Sequence, residues 1–252
     1  MLLTLDVGNT NIKSALFADQ SLKELIVHHD EDKVSDYLNE TNFNEAAICS
    51  VNPRVEKLIS EKISSKGIKV FRVSIRNKFT FDIAYETPET LGIDRLCSAA
   101  GAFDIALKNN LLSKGQYLLT IDFGTATTIN IVSPDKKFLG GLIAPGISTM
   151  LRSLNEKTAQ LPIPELNSYK GVIGASTNSS ILSGVVTATI GMIKETTAYL
   201  ESKSEVYPLI FATGGNAGYI LPYLDDRIIF DEALVLKGLK TIYDLNKPGD
   251  KL

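Results

Sequence analysis

The chain runs to 252 residues, 44% hydrophobic and 22% charged, with a formal net charge of −3. That composition can bury a full core over one large domain or two lobes and gives no hint of disorder. The slightly acidic balance provides no basic field for nucleic acid, and no window approaches the roughly 18 uninterrupted apolar residues of a membrane helix.

The first apolar run, Leu2 to Asp6, turns through Gly8-Asn9-Thr10 and resumes over about Ile12 to Phe17. This reads as strand, tight turn and strand, with Gly and Asn available for positive φ. Asp6 also interrupts any leader pattern at the N-terminus, so the expected compartment is the cytoplasm. His28 and His29 are the only histidines and lie beside Asp30-Glu31-Asp32-Lys33, so they read as solvated. That argues against a histidine-activated nucleophile and against a histidine-rich metal centre. Residues 33–43 read as a short amphipathic helix, and residues 45–51 as a buried strand ending near Pro53. Val55, Leu58, Ile59 and Ile63 then form one helical face, stopped by Gly67. Residues 69–74 are a further strand.

Leu96, Ala99, Ala100, Phe103, Ala106 and Leu107 share the face of a helix that begins around Gly92-Ile93-Asp94-Arg95, which places Asp94 and Arg95 in its first turn. Cys49 and Cys97 have apolar neighbours and no metal-ligand spacing, so they read as reduced, buried small hydrophobes. Residues 107–116 lose the pattern and supply the connection between lobes, 1–112 and 113–252. The second lobe opens with strand, turn and strand over 117–132, then a turn, a strand and a Gly-Pro-Gly-punctuated loop near 146. Residues 176–200 are a long helix, residues 209–213 a buried strand entering the turn Gly214-Gly215-Asn216-Ala217, and residues 231–245 a closing helix. Strands mixed with helices in this way indicate an α/β fold.

Residues 2–8, Leu-Leu-Thr-Leu-Asp-Val-Gly, return as Leu-Leu-Thr-Ile-Asp-Phe-Gly at 118–124. The spacing is that of two lobes, too long for a solenoid. Buried strands explain the leucines, but not an Asp-x-Gly turn behind each copy. Each turn can present backbone N–H groups and hydroxyls to phosphate oxygens, as a nest does. Lys13 adds charge in the first; Thr125, Thr127 and Thr128 add hydroxyls in the second. Asp6, an anion, would meet phosphate through hydrated magnesium. Each turn alone is equally a plain hairpin; three strand-to-turn cradles in order point to a nucleotide. No Gly-x-x-x-x-Gly-Lys P-loop is present. Asp94 can accept a proton late in phosphoryl transfer, and Arg95 can bind a carboxylate or phosphate bidentately. Ile181, Leu182, Val185, Ala188, Thr189, Met192 and Ile193 make a wide apolar face, with Gly184 and Gly191 open to close helix approach. It reads as a helix buried on two sides, at a homodimer seam or at the centre of a monomer.

Together these stretches resemble the type III pantothenate kinases. The resemblance runs through residues 6–13, 85–95, 121–128, 140–154, 174–184 and 211–217, in order and across essentially the whole chain. It implies two tandem lobes of actin-like (ribonuclease H-like) architecture with an interlobe nucleotide cleft. The implied activity is ATP-dependent phosphorylation of the primary hydroxyl of pantothenate to 4'-phosphopantothenate, the first step toward coenzyme A. By resemblance Asp94 is the proton acceptor, and Tyr85, Gly92, Ile93, Asp94, Arg95 and Thr177 hold pantothenate. Asp6, Val7, Gly8, Asn9, Thr10, Asn11, Ile12 and Lys13, with Thr125, hold ATP, which the family uses with magnesium. Asp122 takes a monovalent cation, K+ or NH4+, and the molecule is a homodimer. Ala15 and Thr87 stand where many members have Gly and Asn. A kinase of the same fold acting on a sugar, and a non-catalytic ATP-binding switch, remain the rival readings.

Overall fold

The structure, a computed structural model, describes residues 1–247. Its backbone contacts define two compact units. Unit 1 comprises Met1–Leu111, Lys136–Phe138 and the C-terminal segment from Ala233; unit 2 comprises Leu112–Asp135 and Leu139–Glu232.

In unit 1, β1 (Leu2–Val7), β2 (Ile12–Ala18), β3 (Ser21–His28), β4 (Glu45–Ser50) and β5 (Val70–Arg72) form a sheet in the order β3-β2-β1-β4-β5. β2 runs antiparallel to β1 and β4 runs parallel to it. Period-2 alternation sends Leu3, Leu5 and Val7 to one face. There they pack with Val34 and Leu38 of α1 (Glu31–Glu40) and with Val55, Ile59 and Ile63 of α2 (Pro53–Ser65). Asp30 caps α1 by accepting from Lys33 N, and Asn52 caps α2 by accepting from Val55 N ahead of Pro53. The Asp30 cap starts α1 before residue 33, where apolar spacing alone places it. β3 is unannounced by pattern because it is an edge strand, exposed from Ser21 to Glu24 and turned inward only toward its end. α3 (Ile93–Lys108) follows a short two-residue strand, β6 (Asp82–Ile83), and a 3-10 turn at Pro88–Thr90.

Unit 2 repeats the plan. β7 (Leu118–Phe123) lies between β8 (Ala126–Val132), antiparallel, and β10 (Leu209–Thr213), parallel. The full order is β11-β10-β7-β8-β9-β6, with β9 at Lys137–Pro145 and β11 at Ile229–Phe230. The pairing of β6 with the first residues of β9 lies within unit 1. β1 and β7 share one burial sequence along their six residues, five buried and one half-buried, the half-buried residue being Asp6 or Asp122. The core joins Leu119, Ile121 and Phe123 to Ile147 and Leu151 of α4 (Ile147–Lys157) and to Ile181, Leu182, Val185 and Val186 of α5 (Thr177–Ser204). α5 starts on a reciprocal Ser176–Ser179 capping box and ends on Glu205 at φ 58°. α4 lacks a sequence start signal because its cap, Gly146, has no side chain to announce it.

The last helix, α6 (Leu234–Asn246), groups by contact with unit 1. A division of the chain at 112/113 puts it in the second lobe. Its packing corrects that: a Cβ at Gly238 would lie 1.7 Å from the Cys97 carbonyl oxygen, and one at Gly101 would lie 2.3 Å from that of Leu234. Only paired glycines let α3 and α6 approach so closely. Among the described residues no helix is long and apolar enough to cross a membrane.

Candidate active site

The first Asp-x-Gly turn is a four-residue loop, Gly8–Asn11, between the paired residues Val7 and Ile12. Gly8 N donates to Asn11 O at 3.1 Å. None of the four residues has positive φ, contrary to the expectation from Gly and Asn. Gly8 is needed for space instead, since a Cβ would come within 2.9 Å of Asn11 O. Asp6 stands half-buried at the strand end, with Lys13 opposite it in register. Asn9 and Thr10 are exposed at the tip. A cavity of about 420 Å³ opens beside this loop, lined also by His28, His29, Asn52 and Arg54.

Asp94 occupies the first turn of α3, half-buried. The backbone N–H of Arg95 donates to Asp94 Oδ1 at 2.9 Å. Gly92 leaves room for this carboxylate: a Cβ there would lie 2.6 Å from Asp94 Oδ1. Burial raises the Asp94 pKa, opposed by the Arg95 N–H and charge. The helix start alone favours the ionised form, so desolvation wins over it. Arg95 is itself buried, its guanidinium 5.9 Å from both the Tyr85 and Phe138 ring centroids. Tyr85, Gly92, Ile93, Asp94 and Arg95 therefore gather at one place in unit 1, joined by Phe138, which sequence reasoning did not single out.

The second turn belongs to unit 2. Gly124 N donates to Ala126 O at 3.1 Å, which makes this loop one residue shorter than the first. It is held by its neighbours: Asn216 Nδ2 donates to Gly124 O at 3.2 Å, Gly146 N to Thr125 O at 2.9 Å, and Thr149 Oγ1 to Thr125 O at 2.7 Å. Gly214, at φ +99°, passes so close to Asp122 that a Cβ would fall 2.5 Å from Asp122 Oδ1. Asp122, Thr125 and the turn 214–217 thus form one cradle, to which α4 adds Gly146, Ser148 and Thr149. Ser148 Oγ reaches Asn216 Oδ1 at 3.4 Å. Thr177 stands exposed as the first residue of α5.

A family model described as type III pantothenate kinase matches residues 2–199. The type III pantothenate kinase of Flavobacterium psychrophilum is 34% identical over 98% of this chain and 100% of its own length. That of Flavobacterium johnsoniae is 32% identical over 99% and 100%. The chain belongs to the type III pantothenate kinases. A solved Baf family protein from Campylobacter jejuni shares the fold, with a TM-score of 0.63 at 22% identity over 96% of this chain and 97% of that one. A solved protein from Listeria monocytogenes described as a putative N-acetylmannosamine kinase also shares the fold, with a TM-score of 0.52 at 13% identity over 96% of this chain and 98% of that one.

As a type III pantothenate kinase the chain handles ATP with a divalent metal. Among the described residues no group of three or more His, Cys, Asp and Glu could cage a metal. A lone carboxylate such as Asp6 fits magnesium, which keeps most of its waters and takes one or two carboxylates plus phosphate oxygens. The two departures from the family pattern are accommodated. Ala15 is fully buried in β2, paired with Thr4 and without positive φ. Thr87 precedes the 3-10 turn, with its Oγ1 2.9 Å from Thr90 Oγ1. His28 overturns the solvated reading, being 4% exposed with Nε2 2.8 Å from Ser14 Oγ, whereas His29 is exposed, its Nδ1 2.9 Å from Asn11 Oδ1 in the first turn. The acidic neighbours concealed that β3 carries the chain back to the hairpin.

Proposed function

We propose that the chain phosphorylates the primary hydroxyl of pantothenate with ATP, giving 4'-phosphopantothenate and ADP, with Asp94 as the proton acceptor. The observation that supports this most is the Asp94 carboxylate: held on the Arg95 N–H, pushed up by burial, and carried beside Arg95, whose guanidinium lies near the Tyr85 and Phe138 rings. A base works best with a pKa nearer the operating pH than a free carboxylate has. In the step, the pantothenate oxygen forms a bond to the γ-phosphorus as the bond to the β-phosphate oxygen breaks. The hydroxyl proton passes to Asp94, and ADP leaves with the electron pair of the broken bond. Arg95 and Tyr85, with Gly92, Ile93 and Thr177, orient pantothenate. Arg95 pairs with its carboxylate as a planar fork does.

The loop from Asp6 to Lys13 and Thr125 hold the nucleotide phosphates through backbone N–H groups and hydroxyls. Magnesium, when bound with ATP, neutralises phosphate charge, and Asp6 faces that side. Asp122, backed by the Gly214 turn, takes K+ or NH4+. The active form is a cytoplasmic homodimer. The exposed strip Gly184, Ala188 and Gly191 on α5, where added Cβ atoms at both glycines meet nothing within 4 Å, supports a close helix seam. No contact with nucleic acid or membrane is required. The test is ADP release from ATP with magnesium and potassium, with and without pantothenate, on wild type and Asp94→Asn. Pantothenate-dependent release that falls about 10²–10⁴-fold in the variant supports the reading. Equal release without pantothenate, or full activity of the variant, overturns it.

A further inference from the structure

One face of the unit 1 sheet is covered by α3 and α6 and is lined by small buried residues, among them Thr4, Ala15 and Ala47. Cys49 belongs to it. On β4 it is the registered neighbour of Asp6 on β1, and residues in register on adjacent strands project to the same face. Cys49 is 1% exposed, and its Sγ lies 3.5 Å from Asp6 Oδ1. A carboxylate can only accept, so the thiol donates. Cys97, one helical turn beyond Asp94 on α3, is fully buried beside the Cys49 thiol. The contacts run from the helix that carries Asp94, through two thiols, to the carboxylate at the end of β1.

We propose that Cys49 is a positioning residue of the phosphoryl-transfer site, donating its S–H to Asp6 Oδ1 and holding that carboxylate in the orientation that meets the magnesium side of ATP. The proposal rests on the role given to Asp6 above. A thiol suits this place. It is small and apolar enough to pack beneath two helices, yet it still offers one proton. A weak donor also leaves the carboxylate its charge, which an ion pair to a cation in the same position would cancel. No bond is made or broken at sulfur; Cys49 acts through Asp6 alone.

Two measurements on the full chain test this. The first is the infrared S–H stretching band of Cys97→Ala protein, where Cys49 is the remaining thiol. The band is expected below the free-thiol frequency, and expected to move up when Asp6→Asn replaces the charged acceptor by a neutral one. The second is the magnesium concentration for half-maximal ADP release. Cys49→Ala should raise it about tenfold, the scale of losing a hydrogen bond to a charged group. Cys49→Ser, which restores a donor, should return it to within about twofold, with melting temperatures of both variants close to wild type. A band that ignores Asp6→Asn, or an unchanged magnesium requirement in Cys49→Ala, overturns the proposal while pantothenate-dependent turnover persists. Absence of that turnover in wild type overturns the kinase reading, and the proposal with it.

Discussion

Replacing Gly238 by alanine sets two effects of known size against each other. In an ordinary helix interior the change stabilises by about 0.8–1 kcal/mol, because alanine loses less backbone entropy. At Gly238 the new Cβ would sit 1.7 Å from Cys97 O and 2.7 Å from both Cys97 C and Gly101 N. All three are backbone atoms of α3, so no rotamer change relieves the overlap. Ordinary contact begins at 3.4 Å, and α6 must therefore retreat from α3 by more than an ångström. Overpacking of this kind costs about 3 kcal/mol, the upper part of the usual range, because backbone has to move. The net expectation is a loss of about 2 kcal/mol, or about 4–8 °C in melting temperature for a chain of this size. Urea midpoints and thermal melts measure it. ADP release should fall as well, since Cys97 lies one turn from Asp94 on the helix being displaced. A variant as stable as wild type, or more so, would show that α3 and α6 do not meet through their backbones.

Two pH dependences follow from burial. Asp94 has its carboxyl raised chiefly by desolvation. Between the unfolded value near about 3.9 and the higher folded value, the native chain binds the proton more tightly, so stability falls as pH rises. Asp94→Asn removes that cost. Its urea midpoint should exceed that of wild type near about pH 7 and converge with it below about pH 3.9; equal midpoints near neutrality would refute the account. His28 is the opposite case. Its pKa is lowered by burial, with Asp30 and Glu24 pulling it up and His29 pushing it down. The native chain resists protonation there, so stability should drop as pH falls from about 6.5 through the lower folded value. His28→Gln should flatten that drop in urea titrations between about pH 7 and 5, and an identical slope would assign it elsewhere.

The parts of the molecule legible in the sequence were those written as local pattern. Leu-Leu-Thr-x-Asp-x-Gly marked both central strands and the carboxylate at each end, because a buried strand with one half-buried position leaves a distinctive signature. Asp94 and Arg95 were placed in the first turn of α3 because the apolar face from Leu96 onward fixes the helix phase. What escaped was carried by context. β3 is an edge strand whose outer residues obey no burial pattern, and with it His28 passed for a surface group. α4 begins behind a glycine cap, so Ser148 and Thr149, which complete the second cradle, looked like loop. Phe138 reaches Arg95 from distant sequence through the β6–β9 pairing, which no spacing rule encodes. Gly8 was noticed for the wrong reason, since its turn needs room rather than positive φ.

The duplicated strand also bears on the proposal that Asp6 and Asp122 serve different ions. In each unit the aspartate ends a central strand, with an antiparallel hairpin partner on one side and a parallel strand on the other. The parallel neighbour is where the copies part. Beside Asp6 it supplies Cys49, a buried thiol that donates a proton and leaves the carboxylate charge intact. Beside Asp122 it supplies Thr213, whose hydroxyl is turned to Glu232 O, and the chain then passes through Gly214 with its backbone against the carboxylate. A carboxylate that a thiol meets at the strand end suits a hydrated divalent ion that arrives with phosphate. One enclosed by a glycine turn lies among backbone groups whose carbonyl oxygens are the ligands a weakly hydrated monovalent cation needs. On this proposal the division between Asp6 and Asp122 lies in a strand neighbour, Cys49, on one side and in the turn that follows the strand, at Gly214, on the other. If the residues after position 213, and not 213 itself, build the second site, Thr213→Cys should leave both ATP use and the potassium requirement unchanged in ADP-release assays run across potassium concentrations, and a shifted potassium requirement would refute that assignment.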